Sequence, residues 1–211
     1  KVLSNIPIVA KMMLVVALMG VLSLGITAYN SFETAKLDSS YSHLTDKLFP
    51  ALVKLARANR NVSALMYAGY RAVAYDGGSA EGKHAGEDRE KASKSAHKLF
   101  AEARTLAPEK ASHIKAFEER FSALDAVVTE ATRLGLADDN AAAAAIMQRA
   151  DKQATALTTD MAAFNDAVIA ETDRLSAENS AGASKAMWIE WGGGIARSEE
   201  HTSELQSRFG I

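Results

Sequence analysis

Two rhythms of apolar residues divide this chain. From Ile6 to Tyr29 (IPIVAKMMLVVALMGVLSLGITAY) the apolar residues follow no period; Lys11 is the only charge, and nothing from Met12 to Ala28 is ionisable. About 20 such residues cross the ~30 Å hydrocarbon of a bilayer. In lipid a lone segment satisfies its backbone only as a helix. The pattern therefore predicts a transmembrane helix over residues 6–29, with Lys11 near its start reaching back to the headgroups. A cleaved signal peptide has the same basic-then-apolar order. The length of the run favours a retained anchor, as does the helix-forming Ser31-Phe32-Glu33 that stands where a cleavage pattern would be.

The second rhythm alternates steps of four and three. Leu37, Tyr41, Leu44, Leu48, Ala51, Leu55, Ala58, Val62, Leu65 and Gly69 form a heptad seam, the mark of helices packing at shallow angles. Pro50 lacks a donor and crowds the preceding turn, so a kink or short break is expected near Phe49. Asp76-Gly77-Gly78-Ser79 ends the first long helix. After the polar stretch Glu81 to Lys91, a second helix continues through Ala92, Ala96, Leu99, Ala103 and Leu106, with first turns apolar enough only to fray. Ala107-Pro108-Glu109 forms the next corner, since proline and an acid suit a first helical turn. The third helix carries Ile114, Phe117, Phe121, Leu124, Val128 and Ala131, and Leu134-Gly135-Leu136 closes it. Asp138-Asp139-Asn140 is a capping cluster. Behind it a fourth helix carries Ala150, Ala154, Leu157, Met161, Phe164, Val168 and Leu175, with no breaker before Gly182.

Strand signals are absent, so the expected fold is all-α: a membrane-anchored, antiparallel up-down-up-down four-helix bundle with long helices. Four helices return the chain to the membrane, where Ala181 to Ala196 begins a second span with Trp188 and Trp191 at the interface. Glu190 and Gly192-Gly193-Gly194 make that span a poor helix. Arg197 to Ser207 (RSEEHTSELQS) resembles the translation of a sequencing-adapter oligonucleotide, and such a segment is left out of fold reasoning. The organisation expected is thus residues 1–5 cytoplasmic, 6–29 the first span, 30–180 the bundle, 181–196 the start of a truncated second span, and 197–211 an artefactual tail.

Charge and composition narrow the function. The 211 residues carry a formal net charge of −2, which argues against a nucleic-acid partner. No cysteine is present, which excludes disulfides and thiolate metal sites. Lys1 and Lys11 lie on the near side of the span and Glu33 and Asp38 beyond it. This places the N-terminus in the cytoplasm and the bundle outside. His43, His84, His97 and His113 have no metal-binding spacing. There is no nucleophile elbow, phosphate loop or acid/base pair, so neither an enzyme nor a cofactor is expected. The cluster Glu87-Asp88-Arg89-Glu90-Lys91 reads as a solvated helix face with local ion pairs.

The basic start with its span, FPALVKLARANRNVSALMYAGYRAVAYDGG in the first helix, PEKASHIKAFEERFSAL in the third and ADDNAAAAAIM opening the last together resemble the N-terminal part of a methyl-accepting chemotaxis protein with a four-helix-bundle sensor domain. The resemblance covers roughly Ile6 to Trp191. It implies a homodimer in the inner membrane with the bundle in the periplasm. Such a bundle binds a small molecule or a ligand-loaded periplasmic binding protein and signals to cytoplasmic proteins through a region that follows. Sensor histidine kinases and diguanylate cyclases carry similar bundles, and a ligand-free structural anchor is the other alternative. In such receptors first-helix arginines hold ligand carboxylates, which makes Arg57, Arg60 and Arg71 candidates here. Thr155, Thr158 and Thr159 on the last helix are candidates to supply hydroxyls to the same ligand, and Tyr67 and Tyr70 to line a pocket.

Overall fold

The computed structural model describes the backbone of residues 7–209 and the side chains of residues 7–182 and 184. Helix α1 spans Ile8–His43 and passes through a π-helical turn, Leu44–Leu48, into α2, Phe49–Ala74. Then come α3 (Ala80–Leu106), a 3-10 turn (Pro108–Lys110), α4 (Ala111–Leu136) and α5 (Asn140–Phe209), with no strand among the described residues. The chain divides into two compact units. One is Ser42–Thr172; the other joins Lys1–Tyr41 with Asp173–Ile211.

The Ser42–Thr172 unit is a helical bundle whose core is the stripe of apolar residues expected from the sequence. On α2 and the turn before it, Leu44, Leu48, Ala51, Leu55, Ala58, Val62, Leu65 and Gly69 are buried. On α4 all six expected positions from Ile114 to Ala131 are buried, as are Ala150, Ala154, Leu157, Met161 and Val168 on α5. The largest departure is on α3. Phe100 is fully buried against Phe121, with ring centroids 5.8 Å apart, while Leu99 and Leu106 only flank the core. From Ala96 the inward step is four residues, not three, so the ring and not Leu99 points inward. Phe164 also flanks the core, and Ala143 and Met147 join it ahead of Ala150.

The break expected at Pro50 takes a specific form. Phe49 N–H donates to the Leu44 carbonyl, five residues back, which widens one turn. That turn eases the crowding between the half-buried Pro50 ring and the carbonyl four residues before it. The widened turn also holds one extra residue. Upstream of it the half-buried positions are Lys11, Met19, Ser23, Ile26, Asn30, Glu33, Leu37, Ser40 and His43. Tyr41, expected in the seam, is instead 43% exposed, because the extra residue shifts the phase of the stripe.

The corners are set by close approach. A Cβ on Gly77 would stand 1.9 Å from the Leu136 carbonyl oxygen, and one on Gly135 would stand 2.4 Å from that of Ala72. Only glycine lets these two backbones meet. Ser79 caps α3 by accepting from Gly82 N–H at 3.0 Å. Helix α4 ends in a Schellman motif: Asp139 N–H donates to Leu134 and Asp138 N–H to Gly135. Asp138 takes the left-handed position (φ 61°) that glycine usually fills. The cost of that conformation, about 1–2 kcal/mol, is offset by its carboxylate, which accepts from Gly77 N–H at 2.8 Å. The Asp139 carboxylate accepts from Ala142 N–H, as a capping cluster should.

Helix α5 does not stop at Gly182; its backbone stays helical through Gly192-Gly193-Gly194 to Phe209. Three glycines cost a helix about 1 kcal/mol each relative to alanine, which weakens a helix without forbidding it. The side chains of Trp188, Glu190 and Trp191, and those of the tail from Arg197, lie outside the described residues. So do residues 1–6 and 210–211.

Among the described residues, one helical run is long and apolar enough to cross a membrane. Its apolar window lies near the N-terminus, and none of that window is buried. Ile8, Leu14, Val21 and Leu24 are each more than half exposed.

Candidate functional site

Three cross-links pair α2 with α3. Lys54 meets Glu102 at 2.6 Å, Asn61 Nδ2 donates to Ser95 Oγ at 3.0 Å, and Arg71 Nη1 donates to Asp88 Oδ2 at 2.8 Å. Between the last two lies a groove of about 460 Å³. Its floor is alanine (Ala64, Ala68 and Ala92), whose short side chains leave the space. Its walls are polar: Asn61, Tyr67, Arg71, Asp88, Lys91 and Ser95.

The charges are held in place. The Arg71 guanidinium lies over the Tyr67 ring, 5.7 Å from its centroid, while pairing with Asp88. One Arg71 nitrogen holds Asp88; an arginine fork carries five N–H donors, so capacity remains for a second acceptor. Lys91 adds a second cation, Asp88 an acceptor, and Asn61 and Ser95 an amide and a hydroxyl. Such a set matches a small carboxylate, or a zwitterion whose ammonium meets Asp88. Tyr70, expected beside Tyr67, is not in the groove lining; its phenol pKa is raised, by partial burial first and then by the Asp151 carboxylate of α5, which also accepts its hydrogen bond.

Of the expected site residues, Arg71 and Tyr67 line this groove. Arg57 is exposed near Glu102, where its charge helps hold that carboxyl below its usual range after the Lys54 hydrogen bond and the Lys54 and Lys98 charges. Arg60 is exposed on α2. On α5, Thr155 and Thr159 are exposed, and the half-buried Thr158 donates its hydroxyl to the Thr155 carbonyl. None of the three threonines is in the groove lining.

Asp88, Lys91, Asn61 and Ser95 were not singled out as site residues by sequence reasoning. The charged run Glu87 to Lys91 reads as a solvated face, and in part it is one: Glu90 pairs with Lys94 and Glu87 with His84 along α3 itself. Asp88 and Arg89 instead cross to other helices. Arg89 donates to Asp125 Oδ1 at 2.8 Å and to Thr129 Oγ1, and Ser93 Oγ donates to Asp125 Oδ2 at 2.6 Å. Both charges of that pair are more than four-fifths covered, so Arg89–Asp125 is an internal clasp between α3 and α4.

The histidines are placed by packing and pairing. His43 meets Glu109 at 3.3 Å, His97 meets Glu118 and the edge of Phe121, and His113 stacks on Phe164.

Comparison with known proteins adds no family: the chain matches no protein-family model, no curated protein and no solved structure.

Proposed function

We propose that this chain is the sensor region of a membrane receptor of the chemotaxis type. In this reading α1 is a retained inner-membrane anchor. Helices α2 to α5 form an antiparallel up-down-up-down bundle in the periplasm, and the protein works as a homodimer. The α2–α3 groove takes a small carboxylate or zwitterion on Arg71 and Lys91, and output belongs to cytoplasmic signalling proteins beyond this region. The observation that carries the reading is one uninterrupted helical run, Ile8 to Ala74, which begins apolar on every face and ends with an arginine set in a polar groove.

The order of the cross-links supports the antiparallel arrangement. Partners fall in number on one helix as they rise on the other: Lys54–Glu102 and Arg71–Asp88, then Arg89–Asp125 and Arg104–Glu118, then Lys110–Glu171 and Arg120–Asp160. Helices packed in this way have discrete arrangements, and a ligand shifts them only by binding one better than another.

The test uses the full chain in lipid vesicles. A panel of amino acids and dicarboxylates is screened by thermal shift, then repeated with Arg71→Ala. The reading expects at least one compound to raise the unfolding midpoint, and Arg71→Ala to remove that rise. A rise that persists in Arg71→Ala takes the ligand out of this groove. Extraction of the protein from membranes by alkaline carbonate would remove the anchor.

A further inference from the structure

Large apolar side chains are exposed unevenly over the Ser42–Thr172 unit. Among the described residues α3 and α4 expose none, and this part of α5 exposes only Ile169. Helix α2 exposes Phe49, Val53, Tyr67 and Tyr70. Three of these four fall on one exposed line of four-and-three steps: Phe49, Val53, Ala56, Arg60, Ser63 and Tyr67. The line runs along the side of α2 away from its core stripe, over roughly 27 Å at 1.5 Å per residue. Even with the Arg71 guanidinium over its ring, Tyr67 is 66% exposed. The charge on α2 is one-sided as well. The helix carries Lys54, Arg57, Arg60 and Arg71 and no acid. Glu102 and Asp88 of α3 take Lys54 and Arg71. Arg57 adds only its field to Glu102, and neither Arg57 nor Arg60 makes an ion pair among the described residues, although both are exposed.

From these facts we infer that the outer face of α2 is a docking surface for an acidic amphipathic helix of another protein. Tyrosine, phenylalanine and arginine are the side chains that anchor protein interfaces. Phe49 and Val53 at one end and Tyr67 at the other stand out as knobs, with the short Ala56 and Ser63 between them, so an apolar seam on the partner meets both knobs and hollows. Arg57 and Arg60 lie about 4.5 Å apart along the axis, which matches two carboxylates three residues apart on a facing helix. A second α2 does not fit. In a two-fold pair a residue on the axis meets its own copy. Arg60 would then face Arg60, and α2 has no carboxylate to relieve the repulsion. The surface asks nothing of the α2–α3 groove or of a small ligand, so it stands or falls apart from the sensor reading, whose homodimer is left to other faces.

The probe is a synthetic fluorescent helical peptide of about 21 residues, with leucine and alanine in four-and-three steps and glutamates three residues apart beside them. Its control carries lysine for each glutamate. The full chain sits in phosphatidylcholine vesicles, and empty vesicles serve as the blank. Anisotropy should rise with the glutamate peptide and not with the lysine peptide, and salt should weaken that rise. Arg57→Glu with Arg60→Glu should invert the preference, and Tyr67→Ala should weaken binding about tenfold or more. All three positions are exposed, so the unfolding midpoint should stay that of the parent chain. Equal binding of the two peptides, or a preference that survives the charge reversal, overturns the inference. The chain has no cysteine, so Ser63→Cys places a single thiol on the face. Oxidation that joins chains through it gives the face to a second copy and overturns the inference; chains that stay single support it.

Discussion

Helices α1 and α2 lie on one helical run and use the same apolar side chains, yet they bury opposite amounts. Leu14 and Leu24 on α1 are 59% and 73% exposed, whereas Leu55 and Leu65 on α2 are 2% and 0% exposed. The difference is arrangement. In α2 the apolar residues keep to steps of three and four, so one face packs against α3, α4 and α5 while Arg57 and Arg60 stay in water. In α1 they occupy every face, and none of its apolar window is buried. Burying a leucine is worth about 1.5–3 kcal/mol; α2 gains that inside the protein, and α1 gains it only from an apolar surrounding. The proposed anchor rests on this contrast.

The contrast breaks most visibly by truncating one large side chain in each region. Phe121 is fully buried and touches both Phe100 and His97. Phe121→Ala should lower the stability of the bundle by about 3–5 kcal/mol, read as a lower midpoint in chemical denaturation of the full chain. Leu14→Ala removes a smaller apolar group from α1 and should leave that midpoint where it was. If both variants shift it equally, the exposed face of α1 is covered within the protein, and the contrast fails.

A second variant tests backbone approach, which occurs at the bundle corners and not along α1. Gly20 and Gly25 on α1 have open space where a Cβ would stand, whereas Gly135 has the Ala72 carbonyl 2.4 Å away. Gly135→Ala should cost roughly the upper part of the 1–3 kcal/mol typical of overpacking, because the obstacle is backbone and cannot rotate aside. Gly25→Ala should be neutral or slightly stabilising to the helix, with the far-ultraviolet dichroism as the reading.

How much of this was legible in the sequence follows from the same physics. Period alone located all six α4 core positions, and proline and glycine marked the corners at Pro108 and Gly135. Period misplaced Tyr41, because a π turn inserts one residue into the count and Pro50 announces a disturbance without saying which kind. Phe100 was missed because Leu99 fits a step of three as well as Phe100 fits a step of four, and α3 has too few large residues to decide. In the groove, Arg71 was legible as a residue type suited to carboxylates. Asp88 was not, since which members of a charged run point to a neighbouring helix depends on rotation that no local pattern sets.

The same ambiguity makes the Arg89–Asp125 clasp a sharper probe of the bundle than any residue of α1, where residues 12–28 carry no charge at all. Asp125→Ala leaves a largely covered guanidinium with only Thr129 beside it and should cost about 1–3 kcal/mol. Replacing both partners, Arg89→Met with Asp125→Leu, should recover most of that loss, since apolar packing often equals a buried ion pair. If the double variant is no better than the single, the clasp stabilises the bundle outright and does not merely satisfy itself.

The smallest effect separates the regions by pH. Glu102 has its carboxyl pKa lowered from the usual 4.5, first by the Lys54 hydrogen bond. A carboxyl held low in the folded state stabilises it above the unfolded value and loses that contribution as pH falls through the folded one. Glu102→Gln should therefore narrow the gap in unfolding midpoint between neutral and acid solution, and parent and variant should converge once both carboxyl states are protonated. Glu90 and Glu130 are also held low, by Lys94 and Arg133 on their own helices. Pairs three or four residues apart persist in a helix that has left the bundle, so Glu90→Gln should flatten the acid limb less than Glu102→Gln. Equal flattening would mean that the Lys54 link between α2 and α3 survives unfolding, and the acid limb would then say nothing about how those helices are joined.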